Sequence, residues 1–511
     1  MIKKTKELIN KLDMNTIVIM FFIFQPVMDM YMAFFKELVE IVGISINVFI
    51  NLLLIGIMFV HFLVNCQSKK DIFPYLPYLV LCVIYTILHY INMTKFQDGI
   101  FNRETYGFFK ETYYLFRLYF LPVLLMFLLY KMNIRKDILV NIVKYSVLGI
   151  CLIIILSNIF CISLVSYSDE MANEFIKGNI FNWFGFKAGT DFDSYTSKGF
   201  FISANQVSAI LLLLSPIVIK EAMTKHTWKE YGIVVVLVIT MIMLGTKTSG
   251  FGILLAIVAV IGMMLFFKIL KKYQGELLKP VLSMVVILLI GGILLGYSPM
   301  FRKTYGNIKA EPEDRPVEGD IQELIGKDDS LTITEFIKTH SWNYYIQEQL
   351  LEIYPIEKDL PFWIDKVTRD VRLNSNFRII KTEIFERILE RNNNPLDPVL
   401  GIGYSDELYN EKDYLYQYYE FGIAGVILFI GPFIAAFIYA GAMLLGKYKI
   451  YFTVENCTYA ASLVIGLILP YITGHVFGVT FVMSYLSLVA ALLLRSIKQT
   501  NQEKEIVVNK K

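Results

Sequence analysis

The sequence predicts an all-α polytopic membrane protein with about twelve transmembrane helices and one large, mainly helical extracytoplasmic loop. Three observations predict it. Hydrophobic residues make up 56% of the 511-residue chain and charged residues only 18%, far from the balance of a soluble globular domain. Apolar runs near the ~20 residues that a helix needs to cross a hydrocarbon core recur along most of the chain. One long polar stretch, residues 301 to 413, interrupts them.

The apolar runs place spans at 15–35, 41–64, 74–93, 113–131, 137–164, 199–219, 230–245, 249–267, 280–299, 417–445, 458–474 and 477–495. The domains that follow are 1–300 with helices one to nine, 301–416 as the loop domain, and 417–511 with helices ten to twelve and a tail. The N-terminal MIKKTKELINKLDM leads into a span too long for a secretory h-region, and no small-residue cleavage site follows, so it reads as a signal anchor.

Lys and Arg in short connections resist translocation and set orientation. With the N-terminus inside, the inner connections hold Lys3, Lys4, Lys6, Lys11, Lys69, Lys70, Lys131, Arg135, Lys136, Lys220, Lys225, Lys229 and those that follow helices eight, ten and twelve. The outer short loops hold only Lys36, Lys95, Arg103, Lys110, Lys177, Lys187, Lys198 and Lys247. Both termini are therefore expected in the cytoplasm and the 301–413 lobe outside. The lobe is acidic, so the whole-chain net charge of +3 averages a basic inner rim with an acidic outer one, and neither implies nucleic acid.

Several chemistries find no support. The five cysteines leave the lobe without any, so no disulfide framework is expected there. The five histidines are scattered without metal-ligand spacing, and no Walker-type glycine loop is present. Neither a metal nor a nucleotide cofactor is expected.

The lobe opens with EPEDRPVEGD, a Pro-rich acidic linker. Apolar residues at helical spacing predict a helix near 334–353, and YPIEKDLPFWIDKV breaks and restarts the chain. Phe362 and Trp363 are expected to seat the lobe on the bilayer or on the membrane helices. In LNSNFRIIKTEIFERILERNNNP, the cap-type Asn374, Ser375 and Asn376 precede Phe377, Ile380, Ile384 and Ile388 at steps of 3, 4 and 4, and NNNP ends the helix. Arg387 has Glu383 and Glu390 at helical pairing distance. Arg378 and Lys381 have no acid three or four positions away. Two cations at i and i+3, their Cβ atoms ~5–6 Å apart, suit a bridging diphosphate; the alternative is that they are solvated or paired to an acid elsewhere in the lobe. Arg369 and Arg372 have Asp365 and Asp370 nearby and read as ordinary ion pairs.

After NNNP come GIGY, a tight turn, and EKDYLYQYYEFGIAG, which re-enters the membrane through a Tyr-rich interface. This order of arginine helix, LGIGY, acid-aromatic stretch and EFGIAG, with SKGFFISANQVSAILLLLSP, LGTKTSGFGILLAI and TGHVFGVTF elsewhere, resembles the O-antigen polymerase and ligase superfamily, in particular the polysaccharide polymerases of Gram-positive bacteria. The resemblance runs over about residues 197–490 and implies a GT-C-like fold. It also implies transfer of a glycan from undecaprenyl diphosphate to an acceptor hydroxyl, inverting, with no metal or nucleotide. The donor and acceptor would both be lipid-linked oligosaccharides, and flippase and chain-length regulator proteins are the partners expected beside the enzyme.

Residue by residue, the resemblance makes Arg378 the lobe arginine that holds the diphosphate, with Lys381 beside it. Lys247 stands where the family often has arginine, which keeps the charge and loses the bidentate fork. Family ligases carry His-Asn ahead of the tyrosine-rich re-entry, whereas this chain has Lys412-Asp413, which weakens the ligase reading. A carboxylate there would accept the proton of the acceptor hydroxyl, with Asp413 the first choice, Glu411 the second and Glu420 the third. The alternative for each is a solvated acidic rim beside the tyrosines. Arg117, about one turn inside the fourth span, is expected to contact the carrier phosphate, and Lys144 to snorkel to the cytoplasm. Asn205 reads as an interhelical hydrogen-bonding group or, with Lys198 and His475, as lining of the acceptor cavity. A flippase or exporter of the same lipid-linked sugars is the reading from another class. The chain shows no internal repeat and few deep charges, which argues against it.

Overall fold

The computed structural model describes residues 13–35, 46–65, 72–73, 75–97, 99–102, 107–167, 174–185, 192–309, 325, 330–370, 373–374, 377–405, 408, 412–474 and 476–508. Helices α1 (Met14–Phe34), α2 (Ile46–Asn65) and α3 (Leu76–Met93) come first. Then α4 (Phe108–Leu115) runs through a π-helical turn at Phe116–Phe120 into α5 (Leu121–Lys131). Helices α6 (Lys136–Ile159), α7 (Ala204–Lys225), α8 (Trp228–Met243), α9 (Lys247–Ile269) and α10 (Leu278–Tyr297) follow. The long connection holds α11 (Pro299–Lys309), α12 (Ser330–His340), α13 (Glu348–Ile353), α14 (Leu360–Thr368), α15 (Phe377–Asn392) and the short α16 (Asp397–Leu400). The chain ends with α17 (Asp413–Gly446), α18 (Tyr448–Tyr451), α19 (Val454–Ile472) and α20 (Thr480–Val508). Among the described residues β-structure is limited to isolated bridges of Leu164 with Phe175 and Gly199.

Eleven of the described helices are long and apolar enough to cross a membrane, Phe108–Lys131 counting as one. The twelfth expected span, 230–245, is the 16-residue α8, below that length. The chain is an all-α, multi-pass membrane protein.

The chain forms two compact units, Met1–Pro77 with Arg117–Gly306 and Gly431–Lys511, and Tyr78–Phe116 with Asn307–Ile430. In the first unit α7 is buried on almost every face, as expected of a helix apolar all round; α8, α9 and α19 pack on it. Thr227, Thr246 and Thr453 cap α8, α9 and α19 by accepting the backbone N–H of Glu230, Ser249 and Asn456. The basic connections meet at one end of this unit. There Lys136 pairs with Glu455 (2.6 Å), Lys272 donates to the carbonyls of Tyr448 and Phe452, and Arg495 donates to those of Leu129, Met132 and Ile134. Lys144 does not snorkel as expected: its Nζ lies 2.6 Å from Glu230 Oε1 and both side chains are buried. An acid on the neighbouring α8 offers a shorter route to neutrality than the aqueous rim.

The second unit has its own apolar core, to which Ile337, Ile346, Leu350, Tyr354, Trp363, Ile380, Ile384, Phe385 and Ile388 contribute. Of the apolar stripe expected on α15, Ile380, Ile384 and Ile388 are buried in the unit's own core. Phe362 and Trp363, expected against the bilayer or the membrane helices, are also buried in this core, and the Trp363 indole donates to Tyr354 O at 3.0 Å. The helix expected at 334–353 divides into α12, a 3₁₀ turn at Ser341–Tyr344 and α13.

Of the two helical partners expected for Arg387, the lobe keeps Glu390 and not Glu383. Arg387 binds Asp359 (2.7 Å) and Glu390 (3.0 Å), while Glu383 takes Lys366 (3.0 Å) and Arg369 (2.7 Å). Tertiary neighbours from α14 reach Glu383 first. Burial pushes the Asp359 carboxyl up, but hydrogen bonds from Arg387 and Tyr354 outweigh it and hold the group below the ordinary carboxylate value. Burial raises the Tyr354 phenol to about 12 against the hydrogen bond from Arg391.

Candidate functional site

A membrane helix that breaks must find partners for the carbonyls it frees, since lipid supplies none. Helix α17 breaks at Gly422, where φ is 64° and ψ 178°. The carbonyls just before the break are all satisfied within the second unit. Tyr419 O accepts Ile402 N–H (3.1 Å), Glu420 O accepts Gly403 N–H (3.0 Å), and Phe421 O accepts the Tyr85 hydroxyl (2.6 Å).

Two glycines make this approach possible. Gly401 has φ +83°, and a Cβ there would overlap the Glu420 carbonyl; Gly422 has φ +64°, and a Cβ there would overlap the Val399 carbonyl. Only glycine tolerates both the dihedral and the contact. LGIGY and EFGIAG, separate motifs in sequence, are thus the two halves of one interlock.

Buried polar groups surround the interlock. Asn92 Nδ2 donates to Asp397 Oδ1 (2.8 Å) and Gly401 O (2.9 Å), and Asn392 Nδ2 donates to Asp397 Oδ2 (2.5 Å). His89 places Nδ1 2.6 Å from Leu400 O and Nε2 2.8 Å from Glu111 Oε1. The two Glu111 oxygens accept the Tyr404 N–H at 3.3 and 3.4 Å. Glu420 Oε1 accepts the Ser405 N–H (2.6 Å), and the Tyr416 hydroxyl donates to Ser405 O (2.9 Å). Every backbone group from Leu400 to Ser405 named here is held by a side chain or by the broken helix.

The candidate carboxylates sit at the head of this helix. Asp413 is its first residue and is buried, as is Glu420. Glu411 lies outside the described residues. Arg378 and Lys381 occupy the first turns of α15, both half-buried. Further along α15, the Phe385 ring stacks on Tyr419 (centroids 4.8 Å apart, 5° between planes) and meets Tyr416 edge-on at 6.3 Å. The structure therefore brings together the helix bearing Arg378 and Lys381 and the segment bearing Asp413 and Glu420.

The other candidates belong to the first unit. Lys247 is the exposed first residue of α9, Arg117 is half-buried in the π turn, and Asn205 is half-buried in the first turn of α7. Lys198 is buried; its Nζ donates to Ile202 O (2.9 Å), and the Ile202 N–H donates to Asp29 Oδ2 (3.1 Å). His475 lies outside the described residues.

Sequence reasoning missed His89, Glu111, Asn92 and Asp397. The signal was present: Glu111 and His89 are titratable groups beside or inside apolar runs, the kind of placement that is costly and retained for a reason.

The chain matches the model of a family described as O-antigen ligase like membrane protein over residues 11–500. No curated protein matches it.

Proposed function

From the premise that the chain belongs to the O-antigen ligase-like membrane proteins, we propose that it is a polysaccharide polymerase. It joins undecaprenyl-diphosphate-linked repeat units at the outer face of the plasma membrane. The observation that carries the reading is the packing of α15 on the head of α17 through Phe385 and Tyr419, which puts two cations and two carboxylates on adjoining elements of one compact unit.

The chemistry asks for little beyond this. The leaving diphosphate carries its own negative charge, and Arg378 and Lys381 stabilise that charge as the glycosidic bond breaks. Asp413 removes the proton from the acceptor hydroxyl as it attacks the anomeric carbon. Glu411 is the second choice and Glu420, whose Oε1 already holds Ser405, the third. A single displacement inverts the anomeric centre. The family resemblance adds Lys247 and Arg117 as candidates for diphosphate binding and Lys198, Asn205 and His475 as candidates for the acceptor side. The 301–413 lobe faces outward.

The family description favours a second reading, transfer of a finished glycan to a different acceptor. One experiment separates the two. Purified protein given a single lipid-linked repeat as both donor and acceptor should make a ladder of products and Arg378→Ala should not, while in cells carrying the variant lipid-linked units should accumulate on the outer face. Product formed only when a second kind of acceptor is added means a ligase. Accumulation of lipid-linked units on the inner face in the variant means a transporter.

A further inference from the structure

Hydrogen-bond stereochemistry fixes how many protons His89 and Glu111 hold. A backbone carbonyl only accepts, so at 2.6 Å from Leu400 O the His89 Nδ1 must carry its hydrogen. That leaves Nε2, 2.8 Å from Glu111 Oε1. If the ring is neutral, Nε2 is an acceptor and Glu111 must be the protonated donor; if the ring is cationic, Nε2–H donates to a carboxylate. In both cases one proton lies between the two groups and the pair is neutral overall. Neutrality suits its setting, because His89 and Glu111 are buried, with 0% and 2% of their side chains exposed, and a lone buried charge is costly.

The pair has a definite load. His89 holds Leu400 O, and Glu111 holds the Tyr404 N–H, so together they span both ends of the LGIGY turn. The Tyr85 ring stacks on His89 (5.5 Å, 18°), and Tyr114 packs against Tyr404 at 3.7 Å. Glu420 holds the next residue, Ser405, from the opposite side. Residue 405 opens directly onto the acidic stretch that ends at Asp413.

We propose that His89 and Glu111 form a neutral, proton-sharing clamp that sets the conformation of the turn from Leu400 to Tyr404. They are positioning residues, not catalytic ones. The inference rests on the polymerase reading only for its activity readout.

The decisive comparison is Glu111→Gln against Glu111→Ala. Gln keeps both functions without a titratable proton: its amide N–H donates to His89 Nε2 and its oxygen accepts the Tyr404 N–H. Gln is therefore expected to retain most of the turnover, whereas Ala lowers kcat by about 10- to 100-fold through loosening of the Leu400–Tyr404 turn, with KM for the lipid-linked donor nearly unchanged. Equal loss in both variants overturns the proposal, because a charge or a transferable proton would then be required. Nitrogen-15 labelling of the five histidines, with His89→Asn identifying the resonance, reads the protonation directly. A protonated Nδ1 at neutral pH is expected, and an unprotonated one overturns the clamp whatever the activity. If the wild-type protein makes no polymer while Nδ1 is protonated, the polymerase reading fails and the clamp stands.

Discussion

The two units bury carboxylates in different ways. In the first, Glu230 faces Lys144 and Glu221 faces Lys220, each pair at 2.6 Å and nearly dry, with Lys225 spanning both acids. These acids are neutralised by side chains of neighbouring helical residues. In the second, Glu111, Glu420 and Asp397 spend their oxygens on backbone N–H groups, amides and a histidine that together hold the turn from Leu400 to Ser405. The first arrangement ties helices to one another; the second shapes a segment of irregular chain. Irregular backbone is tolerated in a membrane protein where it is buried in protein or serves a cavity, and here it leads to the acids assigned to chemistry.

The comparison breaks most severely at the glycines. Gly401→Ala puts a methyl group into the Glu420 carbonyl and forces an alanine to positive φ. The expected cost is about 5 kcal/mol, read as a large drop in melting temperature with complete loss of activity. A near-normal melting point would mean that the interlock is not formed. Next comes Lys144→Met, which leaves Glu230 buried without its nearest cation; breaking a buried pair costs about 3–5 kcal/mol. Lys225, 3.9 Å from Glu230, should place the result at the lower end. The double variant Lys144→Met with Glu230→Met should recover most of the loss, because Lys225 keeps Glu221 as its partner at 2.6 Å. Glu111 offers no such recovery: removing His89 and Glu111 together still frees Leu400 O and Tyr404 N–H.

What the sequence made legible follows the same division. Apolar length and periodicity report helices whatever their neighbours are, so the spans and the stripe of α15 could be read directly. The pairing of Lys144 with Glu230 and of Arg387 with Asp359 could not, because each joins elements remote in sequence. Likewise GIGY and EFGIAG could be seen as turn and helix start, but nothing local reports that Gly401 and Gly422 face each other's backbone. Arg378 is a candidate from the missing acid at helical spacing and from motif order, and Asp413 from its place in that order alone. His89 and Glu111 belong to no motif and emerge only when their common partner turn is seen.

Within the lobe, Asp359 gives a smaller effect with a pH signature. Its folded value lies below the ordinary carboxylate value of ~3.9, so its contribution is full above that value and is lost as pH falls through the folded one. Asp359→Asn should therefore cost about 1–3 kcal/mol at neutral pH, and the gap to wild type should close in acid. Melting curves at neutral pH and at about pH 3 check this; a gap that widens in acid means that Arg387 is not the partner that holds Asp359 charged.

Tyr85→Phe is the gentlest test and the sharpest for the interlock. The hydroxyl is the side-chain donor to Phe421 O, the last carbonyl before the break, at 2.6 Å, and it also lies 3.4 Å from Leu400 O. Removing it leaves the ring in place on His89 and takes away one hydrogen bond, a cost of about 0.5–1.5 kcal/mol. The loss should fall on the break itself, so amide exchange should quicken at Ile402 and Gly403, whose N–H groups bond the same turn of α17, and leave α7 unchanged. Exchange that quickens equally in both would mean that the break is held by the general stability of the protein. Tyr85 would then be a packing residue, and the contrast between the two units would lose its meaning.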